Sequence, residues 1–190
     1  MKQSDFTSVG FFHFGTDHEH PIPALRSAID EFKGRGGILK DALIVLPEGF
    51  NLKRYYGDDD DTANFDTAIL DDLARASESA ACAFVAGLII AVTPGVDPPY
   101  NSAYLIDGHQ RIQLLARKTG EDHTVSGSPY RNYCNYTPHS SFKSEVVCYR
   151  GVVVAALVCV DGLDSARHNR KFLKTFQSVQ ATYRMLCVKM

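Results

Sequence analysis

The chain predicts a layered α/β fold, on three observations. Apolar runs of strand length alternate with segments of helical period. The runs at 152–160 and 41–46 are continuous rather than alternating, with seven apolar residues from Val152 to Val158 leading into Cys159, as expected of strands buried on both faces. Both runs close on a polar group and a glycine, Pro47-Glu48-Gly49 in one case and Cys159-Val160-Asp161-Gly162 in the other. In open α/β sheets the carboxyl edge of the strands is where ligands meet side chains.

The elements follow in order. Ser8 to Phe14 reads as the first strand. His13 and Asp17-His18-Glu19-His20 sit beside it; a metal centre needs three or four convergent ligands, and a polar loop ending at Pro21 and Pro23 is the favoured reading. Ala24, Leu25, Ala28, Ile29 and Phe32 repeat at helical spacing, with Pro23 in the first turn and Gly34 at the end. Asp41 to Leu46 is the second strand. Glu48 at its mouth is either a solvated loop glutamate or a positioned base. Asp58 to Asp61 lacks the alternating ligands and distal glutamate of a calcium loop and reads as solvated. Phe65 to Ala80 is helical, with Phe65, Ala68, Ile69, Leu73 and Ala76 forming its stripe, and Ala83 to Val92 is a strand. Runs at 101–107 and 111–118 form a hairpin around Asp107-Gly108. Lys118 closes the second run, where a lysine is ordinarily an exposed edge residue.

Residues 119–144 are polar and too long for an ordinary connection, so they read as a functional loop; its Tyr130, Arg131, Tyr133 and Tyr136 either line a pocket or pack. A second hairpin joins 145–149 to 152–160 around Arg150-Gly151. Leu163 to Gln180 reads as a helix with Phe172, Phe176 and Val179 facing the core, and Tyr183 to Val188 as a last strand.

Composition narrows the class. The chain has 190 residues, 45% hydrophobic and 22% charged, with net charge −2, which suits one domain over 1–190 with its own core. Neither the charge balance nor any stretch carries the basic footprint of a nucleic-acid binder, and no apolar run is long enough to cross a bilayer. Five cysteines without C-x-x-C spacing indicate neither a disulfide framework nor a zinc knuckle, and no signal-peptide pattern opens the chain. The expectation is a cytoplasmic protein with reduced thiols. Cys82 and Cys148 lie in apolar stretches and read as core residues.

Three predicted strand ends carry an acid, a cation and a thiol: Glu48, Lys118 and Cys159. The blocks around them are Leu43-Ile44-Val45-Leu46-Pro47-Glu48, Asn101-Ser102-Ala103-Tyr104-Leu105-Ile106-Asp107-Gly108 running on to Arg117-Lys118-Thr119, and Val152 to Asp161. In their order and separations they resemble the Glu, Lys and Cys blocks of the carbon–nitrogen hydrolase (nitrilase) superfamily. The resemblance implies an αββα sandwich, frequent homodimers or higher homo-oligomers, no cofactor and no metal. It also implies hydrolysis of a non-peptide C–N bond in a small amide or nitrile, with Cys159 as nucleophile, Glu48 as base, and Lys118 with the backbone N–H of Val160 as oxyanion donors.

The chemistry needs these residue types. A thiol with an ordinary pKa near 8.5 is mostly protonated at neutral pH, whereas the thiolate is the nucleophile. A carboxylate in hydrogen-bond reach takes that proton. Charge that develops on the attacked amide is held by an ammonium and an N–H, a single donor being worth about 3 kcal/mol of barrier. Some positions depart from the family pattern. Val160 stands where an aromatic residue is usual, and Thr119-Gly120 replaces a His-Leu. The second glutamate that steadies the lysine is either Glu121 or Glu145. The chain is also expected to end before the last strands and helices of the sandwich. A catalytically inactive relative serving as an oligomeric or binding module is the alternative these departures suggest.

Overall fold

The computed structural model describes residues 8–12, 21–51, 67–91, 100–109, 111–118, 145–150, 152–158 and 183–189, the last segment as backbone. The elements are β1 (Ser8–Phe11), α1 (Pro21–Gly34), β2 (Ala42–Val45), α2 (Ala68–Ala80), β3 (Ala83–Ile90), β4 (Tyr100–Asp107), β5 (Arg111–Arg117), β6 (Val146–Tyr149), β7 (Val152–Val158) and β8 (Tyr183–Lys189). They match the strands and helices read from the sequence to within a few residues. Phe65, the 119–144 loop and the 163–180 helix lie outside the described residues.

The strands form two sheets, ordered β1-β2-β3-β4-β5 and β6-β7-β8. In the first, β1, β2 and β3 run parallel, and β3, β4 and β5 antiparallel. In the second, β6 and β7 pair antiparallel and β7 and β8 parallel.

Strand alternation divides the side chains of the larger sheet between two cores. Ile44, Phe84, Ala86, Leu88, Tyr104 and Ile106 pack with Leu25 and Ile29 of α1 and Leu73 and Ala76 of α2. Leu43, Val85, Ala103, Leu105 and Leu115 face the other way and pack against Val147, Tyr149, Val154, Ala156 and Val158 of the smaller sheet. Among the described residues this gives helices packed on the five-stranded sheet, and that sheet packed on the three-stranded one. In β7 the intervening Val153, Ala155 and Leu157 are buried too, so the strand is covered on both faces, as its unbroken apolar run requires.

Two expectations need correction. Phe32 continues the helical stripe of α1 yet is 48% exposed. Its carbonyl accepts from the Gly37 N–H at 2.9 Å, and its ring lies across the chain reversal at Gly37 instead of in the core. Cys148 is exposed rather than buried, because β6 alternates and sends Val147 and Tyr149 to the core. Cys82 is buried as expected, and burial pushes its thiol up to about 12.

The two sheets are locked at the end where β4 finishes and β7 begins. The Tyr149 hydroxyl donates to Asp107 Oδ2 at 2.7 Å, and Oδ1 of the same carboxylate accepts the backbone N–H groups of His109 and Arg111. The Arg111 and Arg150 guanidinium groups lie 5.6 and 5.4 Å from the centre of the Tyr149 ring. Arg150 also pairs with Asp41, just before β2, at 2.5 Å. Tyr149 opposes Val152, so the loop between them has two residues, and Arg150 takes φ 47° as such a tight hairpin demands. Asp41 is left-handed as well, at φ 60°, so the ion pair joins two backbone positions that non-glycine residues seldom occupy.

Gly108 has a packing role beyond its turn. A Cβ built there would lie 2.4 Å from the Glu78 Cα, so the hairpin tip sits directly on the backbone of α2. Gly108→Ala is therefore expected to cost about 1–3 kcal/mol, read as a fall in the urea midpoint. Peptide-level mass spectrometry after a brief pulse of a thiol reagent is expected to find Cys148 labelled and Cys82 protected until the chain unfolds.

Candidate active site

The site starts where β2 stops. β2 supplies β3 with backbone partners only as far as the pair Val45–Val85. Beyond that pair β3 still has N–H and C=O groups directed toward the side β2 has vacated, and buried groups of this kind must find partners. The segment 46–51 provides them. Leu46 N–H donates to Val85 O and Phe50 N–H to Gly87 O, both at 2.9 Å. The Asn51 side chain then acts as a surrogate peptide: Oδ1 accepts from Ile89 N–H at 2.9 Å and Nδ2 donates to Ile89 O at 2.7 Å. Gly49 takes φ 63°, which allows the tight path between these anchors. Glu48 stands between the first and second anchor points, on a loop stitched to the sheet.

Glu48 is 7% exposed and Lys118 1% exposed, which excludes the readings of a solvated loop acid and an exposed edge lysine. Charged residues this deep are uncommon unless held by partners. Asn101, near the start of β4, links the two. Its Nδ2 donates to Glu48 Oε1, and its backbone carbonyl accepts from the Lys118 N–H at 2.9 Å. Asn101 is itself 2% exposed and opposes Ile89, the residue gripped by Asn51. A closed ring results, from Glu48 through the chain to Asn51, across to Ile89, across the strand pair to Asn101, and back to Glu48.

A bulge in β5 determines the side on which Lys118 falls. Ala103 opposes Ala116 but Tyr104 opposes Leu114, so Leu115 is an extra residue. Leu115 and Ala116 consequently both enter the core between the sheets, and the alternation is reversed from there on. Without the bulge, Lys118 would fall on the helix side; with it, alternation assigns Lys118 to the inter-sheet side, which is also the side of Asn101. The Leu115 carbonyl, displaced from the ladder, accepts from the Glu145 N–H at 2.7 Å.

The smaller sheet runs toward the same edge. Tyr149, paired with Val152 at the start of β7, bonds Asp107 at the end of β4, so the start of β7 lies at the end of β4. β7 therefore finishes beside the start of β4, the end that carries Asn101. Val158 is its last described residue; Cys159 and Val160 lie outside the described residues, as do Thr119, Glu121, Cys134, the 13–20 cluster and the aspartates 58–61. Glu145 is exposed, and its Oε2 accepts from Gln113 Nε2 at 3.3 Å.

A carbon–nitrogen hydrolase from Helicobacter pylori G27 superposes with a TM-score of 0.65 at 14% identity, covering 99% of this chain and 61% of that one. An amidase of the nitrilase superfamily from Nesterenkonia AN1 gives 0.64 at 15% identity, covering 95% and 64%. The fold is that of the carbon–nitrogen hydrolases. A glutamine-dependent NAD+ synthetase from Acinetobacter baumannii also matches, with a TM-score of 0.62 at 16% identity, over 93% of this chain and 31% of that one. The chain thus spans less than two thirds of the length of these carbon–nitrogen hydrolase neighbours. No family model and no curated protein matches the sequence. Among the described residues no helix is long and apolar enough to cross a membrane.

Asn51 and Asn101 carried no role in the sequence reading. The available signal was an asparagine just after the Glu48 block and another at the head of the Lys118 block, the second inside a strand where a polar amide is out of place. Asn51→Ala is expected to leave both backbone groups of Ile89 unpaired and to cost about 2–4 kcal/mol in chemical denaturation. Hydrogen exchange in the mutant should speed up at Phe50 and Ile89 well before it does at Val154.

Proposed function

We propose that this chain hydrolyses a non-peptide C–N bond in a small amide or nitrile, using Cys159 as nucleophile, Glu48 as base and Lys118 with the Val160 N–H as oxyanion donors. The observation that carries the reading is the buried acid and buried lysine bridged through Asn101 on the inter-sheet edge toward which β7 runs. Cys159 is the next residue after the last described position of β7.

The substrate considered is a primary amide. The proton of the Cys159 thiol moves to the Glu48 carboxylate as sulfur attacks the carbonyl carbon, and the carbonyl electron pair moves to oxygen. Lys118 and the Val160 N–H hold that oxyanion. Its collapse breaks the C–N bond, and the proton on Glu48 goes to the departing nitrogen, leaving a thioester on Cys159. Glu48 then takes a proton from water, whose oxygen attacks the thioester; the acid is released and the proton returns to sulfur. Each proton is taken and given back, so this route draws on no external oxidant or reductant.

The amidase from Nesterenkonia sp. AN1 has been solved in complex with acrylamide, which makes small primary amides the first substrates to try. In this reading residues 1–190 act as one cytoplasmic domain that self-associates. Val9 and Phe11 favour self-association. They pair with Leu43 and Val45, whose side chains face the inter-sheet core, yet they are 49% and 81% exposed. The same bare face favours the second reading, a non-catalytic relative that works as an oligomeric or binding module.

A panel of small amides and nitriles separates the two. Hydrolysis is expected in the wild type, with its complete loss in Cys159→Ala and a fall of about 10²–10⁴ in kcat in Glu48→Gln. Turnover that survives Cys159→Ala, or a silent panel with no covalent adduct on Cys159, favours the binding module. Sedimentation is expected to show a dimer or larger species that Phe11→Glu weakens.

A further inference from the structure

We propose that Asn101 is a positioning residue for Glu48: its amide holds carboxylate oxygen Oε1 and thereby assigns the proton transfer from Cys159 to Oε2. The inference rests on the reading of Glu48 as the base and adds to it the group that orients it.

The geometry leaves little choice of donor. An ionised carboxylate only accepts hydrogen bonds, so the asparagine must present its NH₂ to Glu48, which turns Oδ1 away. Among the described residues Asn101 Oδ1 is buried with no hydrogen-bond partner. A buried amide that uses only part of its bonding capacity is a poor choice for stability. On the same face of β4, two and four residues further on, stand Ala103 and Leu105, apolar residues wholly buried in the inter-sheet core. What the asparagine adds is a directed N–H on the Glu48 carboxylate.

Its own placement is rigid. The Asn101 main chain lies between Ile89 of β3, which Asn51 grips on its far side, and the Lys118 N–H. The side chain is short and buried at 2% exposure, and its NH₂ is directed at Glu48 Oε1. An amide neither gains nor loses a proton in the working range, so it can orient the base without competing for the proton that Glu48 must carry. Misplacement of a reacting group by about 1 Å can cost on the order of 10²-fold in rate. One hydrogen bond that fixes the carboxylate rotamer therefore has a large lever.

The test uses the full chain as Asn101→Ala and Asn101→Leu, beside Glu48→Gln. With ¹³C-carboxyl-labelled glutamate, the resonance absent from Glu48→Gln identifies Glu48. In both Asn101 variants it is expected to shift and broaden as the carboxylate samples more than one rotamer. On a small primary amide, kcat is expected to fall about 10- to 100-fold with KM within about twofold. Asn101→Leu is expected to lose some thermal stability, because Glu48 Oε1 loses its buried donor, while staying folded at the assay temperature. An unchanged Glu48 resonance in a folded variant overturns the role of Asn101, even if Glu48→Gln proves that Glu48 is the base. Undiminished hydrolysis in Glu48→Gln overturns the base assignment itself, whatever the resonance does.

Discussion

The termination of β2 before β3 is the constraint on which the candidate site depends. A parallel neighbour that ends early leaves a row of backbone groups on the longer strand, and buried groups of that kind are costly when unpaired. Here the row is completed by Leu46, Phe50 and the amide of Asn51. Because the loop does the work of a strand, it is as well anchored as one. Glu48, carried between the anchors, inherits that rigidity. Groups that must act on a reacting atom need such support, since preorganisation otherwise has to be established at each turnover.

The same economy governs the other side of the site. A bulge in β5 brings two successive residues, Leu115 and Ala116, into the core between the sheets and turns Lys118 toward it. The carbonyl released by the bulge is taken by Glu145 N–H as the chain enters β6. At the far end of the sandwich Tyr149, Asp107, Arg150 and Asp41 tie the sheets together. Tyr149 illustrates the strength of that tie: burial, and the hydrogen bond to Asp107, raise its phenol well above the usual range. One end of the molecule is thus a structural lock, and the other holds the buried acid and lysine.

Much of this was legible in the residues. β2, β3, β4 and β7 announced themselves because they are almost wholly buried, and apolar β-branched runs such as Val152 to Val158 have few other interpretations. Arg150-Gly151 and Asp107-Gly108 marked their hairpins through turn chemistry that acts locally. Glu48 and Lys118 stood out as charges closing buried runs. Other features could not be read so directly. The Leu115 bulge is a register event between two strands, and no single-strand pattern carries it. Cys148 looked like core because its neighbours are apolar, whereas its exposure depends on which face of β6 meets the other sheet. Phe32 kept the helical period but packs on Gly37. Asn51 and Asn101 satisfy partners 38 and 53 residues away, which is a property of the folded chain.

The central claim is that the acid held by this framework acts on the thiol that follows β7. The most direct measurement is the rate at which Cys159 is alkylated by a small neutral electrophile, resolved peptide by peptide, in wild type and Glu48→Gln. The exposed Cys148 serves as an internal control. The substitution is expected to slow Cys159 about tenfold or more while Cys148 reacts as before. Equal rates at Cys159 in the two proteins would contradict it.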